Sequence, residues 1–142
     1  MAARMQVTFD ALDPARLGAF WAAALAYVED PPPPPFASWD EALDAMGVPA
    51  DQRDTAYAVV DPDGGGPRLF FQKVTEHKSV KNRVHLDVSV AFDGPREGRP
   101  DAVRDRATEL EALGAVRLYE KAALGSFWVT MQDPEGNEFC VQ

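Results

Sequence analysis

The side chains that could do chemistry in this sequence lie on two segments that echo each other. One segment begins with Gln6 and Thr8, the other with His85 and Asp87, and in both cases apolar residues alternate with the polar ones. Alternation with a period of two predicts a strand with one buried face, so the polar side chains share the other face. Histidine titrates near neutral pH, and Asp87 is placed to hold its charge. The pattern favours a ligand-contacting, acid–base role for His85 over the role of an ordinary hydrogen-bonded strand residue. For Asp87, a solvated strand residue is an equally open alternative to a partner of His85.

Each echoing segment is followed by turn residues and a helical pattern, and each half closes with a similar turn. That turn reads Asp-Pro-Asp-Gly at residues 61–64 and Asp-Pro-Glu-Gly at residues 133–136. A strand–helix–strands unit used twice predicts an α+β fold. We expect two βαβββ-like modules whose sheets curl around one cavity, with Gln6, Thr8, His85 and Asp87 lining that space.

The predicted elements follow from periodicity, capping residues and breakers. Asp13 caps a first helix that has Pro14 at its first position, and Ser38 starts a short inserted helix with Trp39, Leu43 and Met46 on one face. A further helix carries Val103, Ala107, Leu110 and Leu113. Five prolines at 31–35 are expected to run extended, and the first half to lack a regular second strand. The predicted strands are 6–12, 55–60, 68–74, 83–91, 115–120, 126–132 and 138–141.

The length of 142 residues suits one domain, residues 1–142. We expect module one at about 5–74, a polar linker at about 75–82 and module two at about 83–142. The basic residues of this region are expected to form surface ion pairs of little energetic value; they are Lys73, Lys78, Lys81 and Arg83.

Composition excludes several classes of partner. The net charge of −9 argues against nucleic acid, because phosphate binding needs clustered cations. No run approaches the roughly 18 apolar residues of a membrane span. Cys140 is the one cysteine, so no internal disulfide can form, and the first residues lead directly into a strand. We therefore expect a cytoplasmic protein without a signal peptide and with neither a nucleic-acid nor a membrane partner.

Two tryptophans are candidates for a ligand cavity. Trp128 alternates with Phe127 and Val129, which are expected in the core, so Trp128 faces the other side as a cavity wall for flat or apolar ligands. Trp39 follows the proline run and could cover the cavity mouth, or equally pack in a small satellite core. Cys140 is expected to be a small buried hydrophobe and not a reactive thiol.

Taken in order, these pieces resemble the vicinal oxygen chelate superfamily, the glyoxalase/bleomycin-resistance/dioxygenase group. The resemblance is carried by the opening strand that runs into Asp13-Pro14, by His-Leu-Asp-Val at 85–88 and by Asp-Pro-Glu-Gly-Asn-Glu-Phe at 133–139. The stretch Leu-Phe-Phe-Gln-Lys-Val at 69–74 is similar to a bacterial glyoxalase-like subgroup.

The resemblance implies a metal position in which four side chains converge, two from each module. Those positions fall on Gln6, Gln72, His85 and Cys140. Gln72 and Cys140 stand where the family usually has glutamate, the residue that holds a hard cation and moves protons. Two amides, one imidazole and one thiol are a poor donor set for such a cation.

Two functions are therefore carried forward. The first is a glyoxalase-like protein that binds a small organic ligand in the inter-sheet cavity, as a diverged non-metal enzyme or a binding and sequestration protein. No cofactor is expected for it. The alternative is a metal-dependent lyase, isomerase or dioxygenase with a divalent metal. The resemblance also implies a homodimer, which would cover open sheet edges.

Overall fold

The order of strands and helices repeats in the two halves of the chain. The computed structural model describes residues 1–142 and divides into two units, residues 1–76 and 77–142. The first unit contains β1 (Gln6–Ala11), α1 (Pro14–Leu25), β2 (Val28–Glu29), α2 (Trp39–Ala45), β3 (Ala56–Val60) and β4 (Arg68–Lys73). The second contains β5 (Leu86–Val88), α3 (Arg99–Ala112), β6 (Val116–Ala123), β7 (Ser126–Gln132) and β8 (Glu138–Val141).

Each unit holds one four-stranded mixed sheet, and the two sheets have the same topology. The strand orders are β1-β4-β3-β2 and β5-β8-β7-β6. In both sheets the first strand pairs in parallel with the last, and the remaining neighbours are antiparallel. The α+β class and the duplicated strand–helix–strands unit are therefore confirmed.

In the first unit, the strand and helix that position the polar face are set by local signals. The side chain of Asp13 accepts a hydrogen bond from the Arg16 N–H at 3.1 Å, which caps α1 as predicted. The helix buries Leu17, Phe20 and Trp21 against the sheet. Because β1 alternates, its apolar side chains join this core and Gln6 is exposed on the opposite face.

In the second unit, the core forms between α3 and the sheet. Val103, Ala107 and Leu110 are fully buried, as expected from their helical spacing. Leu113, which was expected to be part of this helix, is its C-terminal cap and is 46% exposed. The helix ends at Ala112 and the backbone turns at Gly114, which has φ +110, so Leu113 leaves the helical periodicity.

The segment between α1 and β3 differs from the prediction in two ways. The first half does have a second strand: β2 is only two residues long and pairs with β3. The proline run is not extended throughout, since the Phe36 N–H donates to the Pro33 carbonyl at 3.1 Å and the Pro34–Pro35 peptide bond is cis. The short β2–β3 pairing is followed by the turn at Pro33–Phe36, and α2 begins shortly after this turn.

Helix α2 begins as the capping pattern predicts. The Ser38 hydroxyl accepts a hydrogen bond from the Glu41 N–H at 3.2 Å, and the Glu41 carboxylate accepts one from the Ala37 N–H at 2.9 Å. Its predicted apolar face is only partly buried: Trp39 and Leu43 are half-buried, whereas Met46 is 57% exposed. The last turn of α2 therefore faces solvent.

The strand β5 is shorter than the predicted 83–91 and begins after His85. The preceding residues bend instead to bond the start of β8, where the Asn82 N–H donates to the Glu138 carboxylate at 2.9 Å. Residues 77–82 thus belong to the second of the two units. None of the three α-helices combines the length and apolar character that crossing a bilayer requires.

Candidate functional site

The face of the first sheet that points away from α1 carries the predicted polar residues of this unit. On β1 these are Gln6 and Thr8, both exposed. On the neighbouring strand β4 the residues of this face are Arg68, Phe70 and Gln72, which alternate with the buried Leu69 and Phe71. The alternation of both strands therefore produces a mixed polar and aromatic surface on one face.

Gln6 is held by a hydrogen-bond network around Arg68. Its carbonyl oxygen accepts a hydrogen bond from Arg68 Nη1 at 2.8 Å, and its amide donates to the Thr8 hydroxyl at 3.4 Å. Arg68 Nε and Nη2 both lie 2.8 Å from Asp30 Oδ2. The one atom through which Gln6 could bind a cation therefore already contacts a guanidinium group.

The sheet register separates Gln6 from Gln72. Gln6 pairs with Arg68 and Gln72 pairs with Asp10, so the two glutamines lie four residues apart along paired strands, roughly 13 Å. The Gln72 amide donates to Asp10 Oδ1 at 2.7 Å. Within this unit the structure therefore joins Gln72 to Asp10 and does not bring the two glutamines side by side.

A groove lies between this sheet face and the inserted segment that contains α2. Its volume is about 390 Å³, and its walls include Trp39, Leu43, Arg53, Arg68 and Phe70. The Trp39 indole N–H donates to the Asp30 carbonyl at 2.7 Å, which fixes the ring at this position. The Arg68 guanidinium carbon lies 5.3 Å from the centroid of the Phe70 ring. The groove is thus largely apolar, with the guanidinium groups of Arg53 and Arg68 and the carboxylates of Glu29 and Asp40 also in its lining.

On the second sheet, Cys140 connects two polar residues of the corresponding face. Its register partners are Asp87 on β5 and Thr130 on β7. The Thr130 hydroxyl, 3% exposed, lies 3.6 Å from Cys140 Sγ. Burial raises the pKa of the Cys140 thiol; the contact with Thr130 opposes this, and Asp87 adds to the rise. At neutral pH the thiol is therefore protonated, which suits neither a nucleophile nor a metal ligand.

His85 precedes β5 and is exposed. Its Nε2 atom lies 2.9 Å from the Asn82 carbonyl oxygen, so with Nε2 protonated the ring donates to the backbone and leaves Nδ1 as an acceptor. Leu86, the next residue, pairs with Phe139. His85 is thus held at the start of the polar face, near the beginning of β8.

Trp128 lies on the same face as Thr130, at the next step along β7. It is half-buried, and Lys121 Nζ of the paired strand lies 5.8 Å from its ring centroid. Phe127 is half-buried, and Val129 and Met131 are fully buried on the other side, which confirms the expected division of β7 into two faces.

Glu138, the carboxylate nearest to the Cys140 position along β8, is committed to an ion pair. Lys78 Nζ lies 2.9 Å from its Oε2, and both side chains are largely buried. Burial alone would raise the pKa of Glu138, but hydrogen bonds from the Asn82 N–H and from Lys78 lower it to about 2. The expectation that Lys78 forms only a surface pair was wrong, because this pair fastens residues 78–82 to β8.

These donor sets do not fit a hard divalent cation. No group of three or more His, Cys, Asp or Glu side chains is arranged to hold a metal ion. Of the family metal positions, Gln6 contacts a guanidinium group and Cys140 carries a protonated thiol. Neither supplies the anionic oxygen that such a cation prefers.

Sequence reasoning missed Arg68, Phe70 and Arg53 as residues of the groove. The alternation of β4 was a usable signal for Arg68 and Phe70, since it places them on the face of Gln72. Arg53 had no such signal. It reaches the groove because its side chain pairs with Asp40 and Asp44 and bonds the Val48 carbonyl.

Comparisons with solved structures show the same fold at low sequence identity. A mutant of the fosfomycin resistance protein FosX from Listeria monocytogenes, complexed with Mn(II) and 1S,2S-dihydroxypropylphosphonic acid, is 11% identical with a TM-score of 0.65, covering 100% of this chain and 92% of that chain. A possible glyoxalase from Bacillus cereus is 14% identical with a TM-score of 0.62, covering 100% and 99%. A glyoxalase/bleomycin resistance protein/dioxygenase family enzyme from Burkholderia phytofirmans is 12% identical with a TM-score of 0.59, covering 97% and 94%.

Sequence comparison gives the family. A search of curated protein sequences finds no significant match. The model of the glyoxalase-like domain family matches residues 6–142, nearly the whole chain. This chain therefore belongs to the glyoxalase-like family.

Proposed function

We propose that this glyoxalase-like chain binds a small organic ligand without a divalent metal, as a non-metal enzyme or as a binding and sequestration protein. The observation that carries the proposal is the groove on the polar face of the first sheet. It combines two aromatic walls, Trp39 and Phe70, with the guanidinium of Arg68. An apolar groove with few oriented polar groups is the usual form of a small-molecule site.

The proposal assigns a role to each predicted site residue. On the first sheet, Gln6 positions the Arg68 guanidinium of the groove wall, Thr8 positions Gln6, and Gln72 acts together with Asp10 on the same face. Trp39 forms a wall of the groove.

On the second sheet, His85 is the candidate acid–base group because its Nδ1 is left as an acceptor. Asp87 and Cys140 supply hydrogen bonds next to it, and Trp128 supplies a flat apolar surface.

The absence of a metal requirement is supported by donor chemistry. Gln72 and Cys140 occupy positions where the family resemblance implies glutamates, and Glu138 is neutralised by Lys78. We expect elemental analysis of the purified protein to find less than stoichiometric metal. Titration calorimetry with manganese, nickel and zinc should give only weak binding, and a chelator should leave the melting temperature unchanged.

A thermal-shift screen of small aromatic and carboxylated compounds tests the binding site. Compounds that raise the melting temperature are then titrated against Phe70→Leu, which shortens the groove wall. The matched control is Phe92→Leu, which removes a half-buried ring of the second unit that lies outside the groove. We expect Phe70→Leu to weaken binding about tenfold and the control to have no effect. Equal affinity for both variants would exclude the groove as the site.

The alternative is a metal-dependent lyase, isomerase or dioxygenase. It is favoured by the structural similarity to FosX, which was solved with Mn(II). Stoichiometric metal in the purified protein, lost to a chelator together with a fall in melting temperature, would establish this alternative over the metal-free proposal.

We propose further that residues 1–142 work as one domain in a cytoplasmic homodimer. The edge strand β6 supports the dimer, because Val116, Leu118 and Tyr119 on it are 42–54% exposed. Exposed apolar residues on an edge strand, which has one side without a sheet partner, are a surface that a second copy would cover.

A further inference from the structure

A second cleft lies at one end of the sheet in the second unit, and its lining includes none of the residues assigned a role above. It has a volume of about 670 Å³ and is formed by the first turn of α3, the hairpin between β6 and β7, and the last residue of the chain. Its polar lining consists of Arg96, Arg99, Ser126 and Gln142. Its apolar wall includes Ala122 and Phe127.

The two arginines of this cleft have no carboxylate partner. Arg96 Nη2 donates to the Gly125 carbonyl at 2.7 Å, which fixes its guanidinium above the hairpin. Arg99 is half-buried and forms neither a hydrogen bond nor an ion pair through its side chain. Glu97 lies between them in sequence and is not within ion-pair distance of either.

This arrangement contrasts with the other arginines around α3. Arg104 pairs with Asp101 and Glu120, Arg106 with Glu109, and Arg117 with Glu111. The chain has 23 acidic residues against 14 basic ones, so acidic partners are abundant. Arg96 and Arg99 line one cleft, and neither has an acidic partner there. They therefore leave a local positive charge in an acidic protein.

We propose that this cleft binds a small organic molecule through an anionic oxygen group, a carboxylate or a phosphate monoester. The planar donor fork of arginine matches the geometry of both groups. The Ser126 hydroxyl and the Gln142 amide offer further donors at the same cleft. The Arg104 guanidinium carbon lies 4.6 Å from the Phe127 ring centroid and covers one ring face, so the rest of the ring and the alanines beside it accommodate an apolar body attached to the anion.

The test uses benzoate and phenyl phosphate as separate probes, in titration calorimetry and in amide NMR of the whole chain. We expect the amide shifts that change to be those of Gly125, Ser126 and Gln142. The double variant Arg96→Gln/Arg99→Gln should weaken binding at least about tenfold, because two charge-assisted contacts are removed. Binding of both probes defines a general anion site; binding of one identifies the carboxylate or the phosphate as the group recognised.

The matched control is Arg83→Gln, because Arg83 is exposed, has no ion pair and does not line the cleft. It changes the net charge in the same way as one cleft substitution and should leave affinity unchanged. The proposal is overturned if neither probe binds at millimolar concentration, or if the shifted amides lie outside the cleft. It is also overturned if Arg83→Gln weakens binding as much as Arg99→Gln does, since the attraction would then be unspecific.

Discussion

Replacing Glu138 by glutamine tests the strength of the buried ion pair in the second unit. The pKa of this carboxyl falls from 4.5 to about 2 on folding. That difference favours the folded state by about 3 kcal/mol at pH 7. Glu138→Gln keeps the size of the side chain but removes the charge and leaves Lys78 without a partner in a largely buried place. We expect the free energy of unfolding, measured by urea denaturation and circular dichroism, to fall by about 3 kcal/mol.

The pH dependence makes this prediction specific. Because the folded pKa is depressed, the stabilisation is complete above the unfolded value and is lost as the pH falls from 4.5 towards 2. At pH 3 the difference between wild type and Glu138→Gln should shrink to about 1 kcal/mol. The matched control is Glu109→Gln, which breaks an exposed pair with Arg106 and should cost less than about 0.5 kcal/mol.

Two outcomes would refute the reasoning. Equal losses in the two variants would mean that burial adds nothing to the pair. A loss at pH 3 as large as that at pH 7 would mean that it does not arise from the ionised carboxylate. The double variant Lys78→Met/Glu138→Met should recover part of the stability, because it removes both charges together and keeps the apolar packing.

Three further predictions concern other parts of the molecule. The raised pKa of Cys140 predicts slow alkylation of its thiol by iodoacetamide at pH 7, at a rate that increases with pH. The variant Asp87→Asn should be alkylated faster, and an unchanged rate would contradict the role of Asp87 in raising the pKa. A methyl group at Gly18 would lie 2.2 Å from the Tyr57 ring. Although alanine favours helices, Gly18→Ala should therefore destabilise the folded chain by about 2 kcal/mol. A higher melting temperature for this variant would show that the Tyr57 ring moves aside without cost. Light scattering at micromolar concentration should give twice the monomer mass of 15.5 kDa, and the monomer mass alone would rule out the homodimer.

The parts of the fold that were predictable depend on neighbours close in sequence. Helix α1 was found from the cap at Asp13 and the spacing of Leu17 and Trp21, and β1 from its alternation. By contrast, β2 is a strand only because Val28 and Glu29 pair with β3. A strand of two residues is too short to show an alternation from which that pairing could be predicted.

Of the predicted ligand-contacting residues, only Trp39 lines the groove, although strand alternation did place Gln6, Thr8 and Gln72 on one face of the first sheet. The distance between Gln6 and Gln72 depends on the register between β1 and β4, and nothing local in either strand specifies it. The Lys78–Glu138 pair joins residues 60 positions apart, so the basic cluster was mistaken for a solvated surface. Long-range pairing, not residue type, therefore determines which polar groups remain free to contact a ligand.

The placement of the first strand has a consequence for synthesis of the chain. In each unit the opening strand pairs only with the last one: Gln6 finds its partner 62 positions later, at Arg68. During synthesis, β1 therefore has no sheet partner until β4 emerges from the ribosome. In the same way, β5 has none until β8 emerges. Since β4 ends at Lys73, the first sheet can be completed before the second unit has emerged from the ribosome. The most vulnerable interval for each half is the one in which its opening strand, with its alternating apolar residues, remains unpaired.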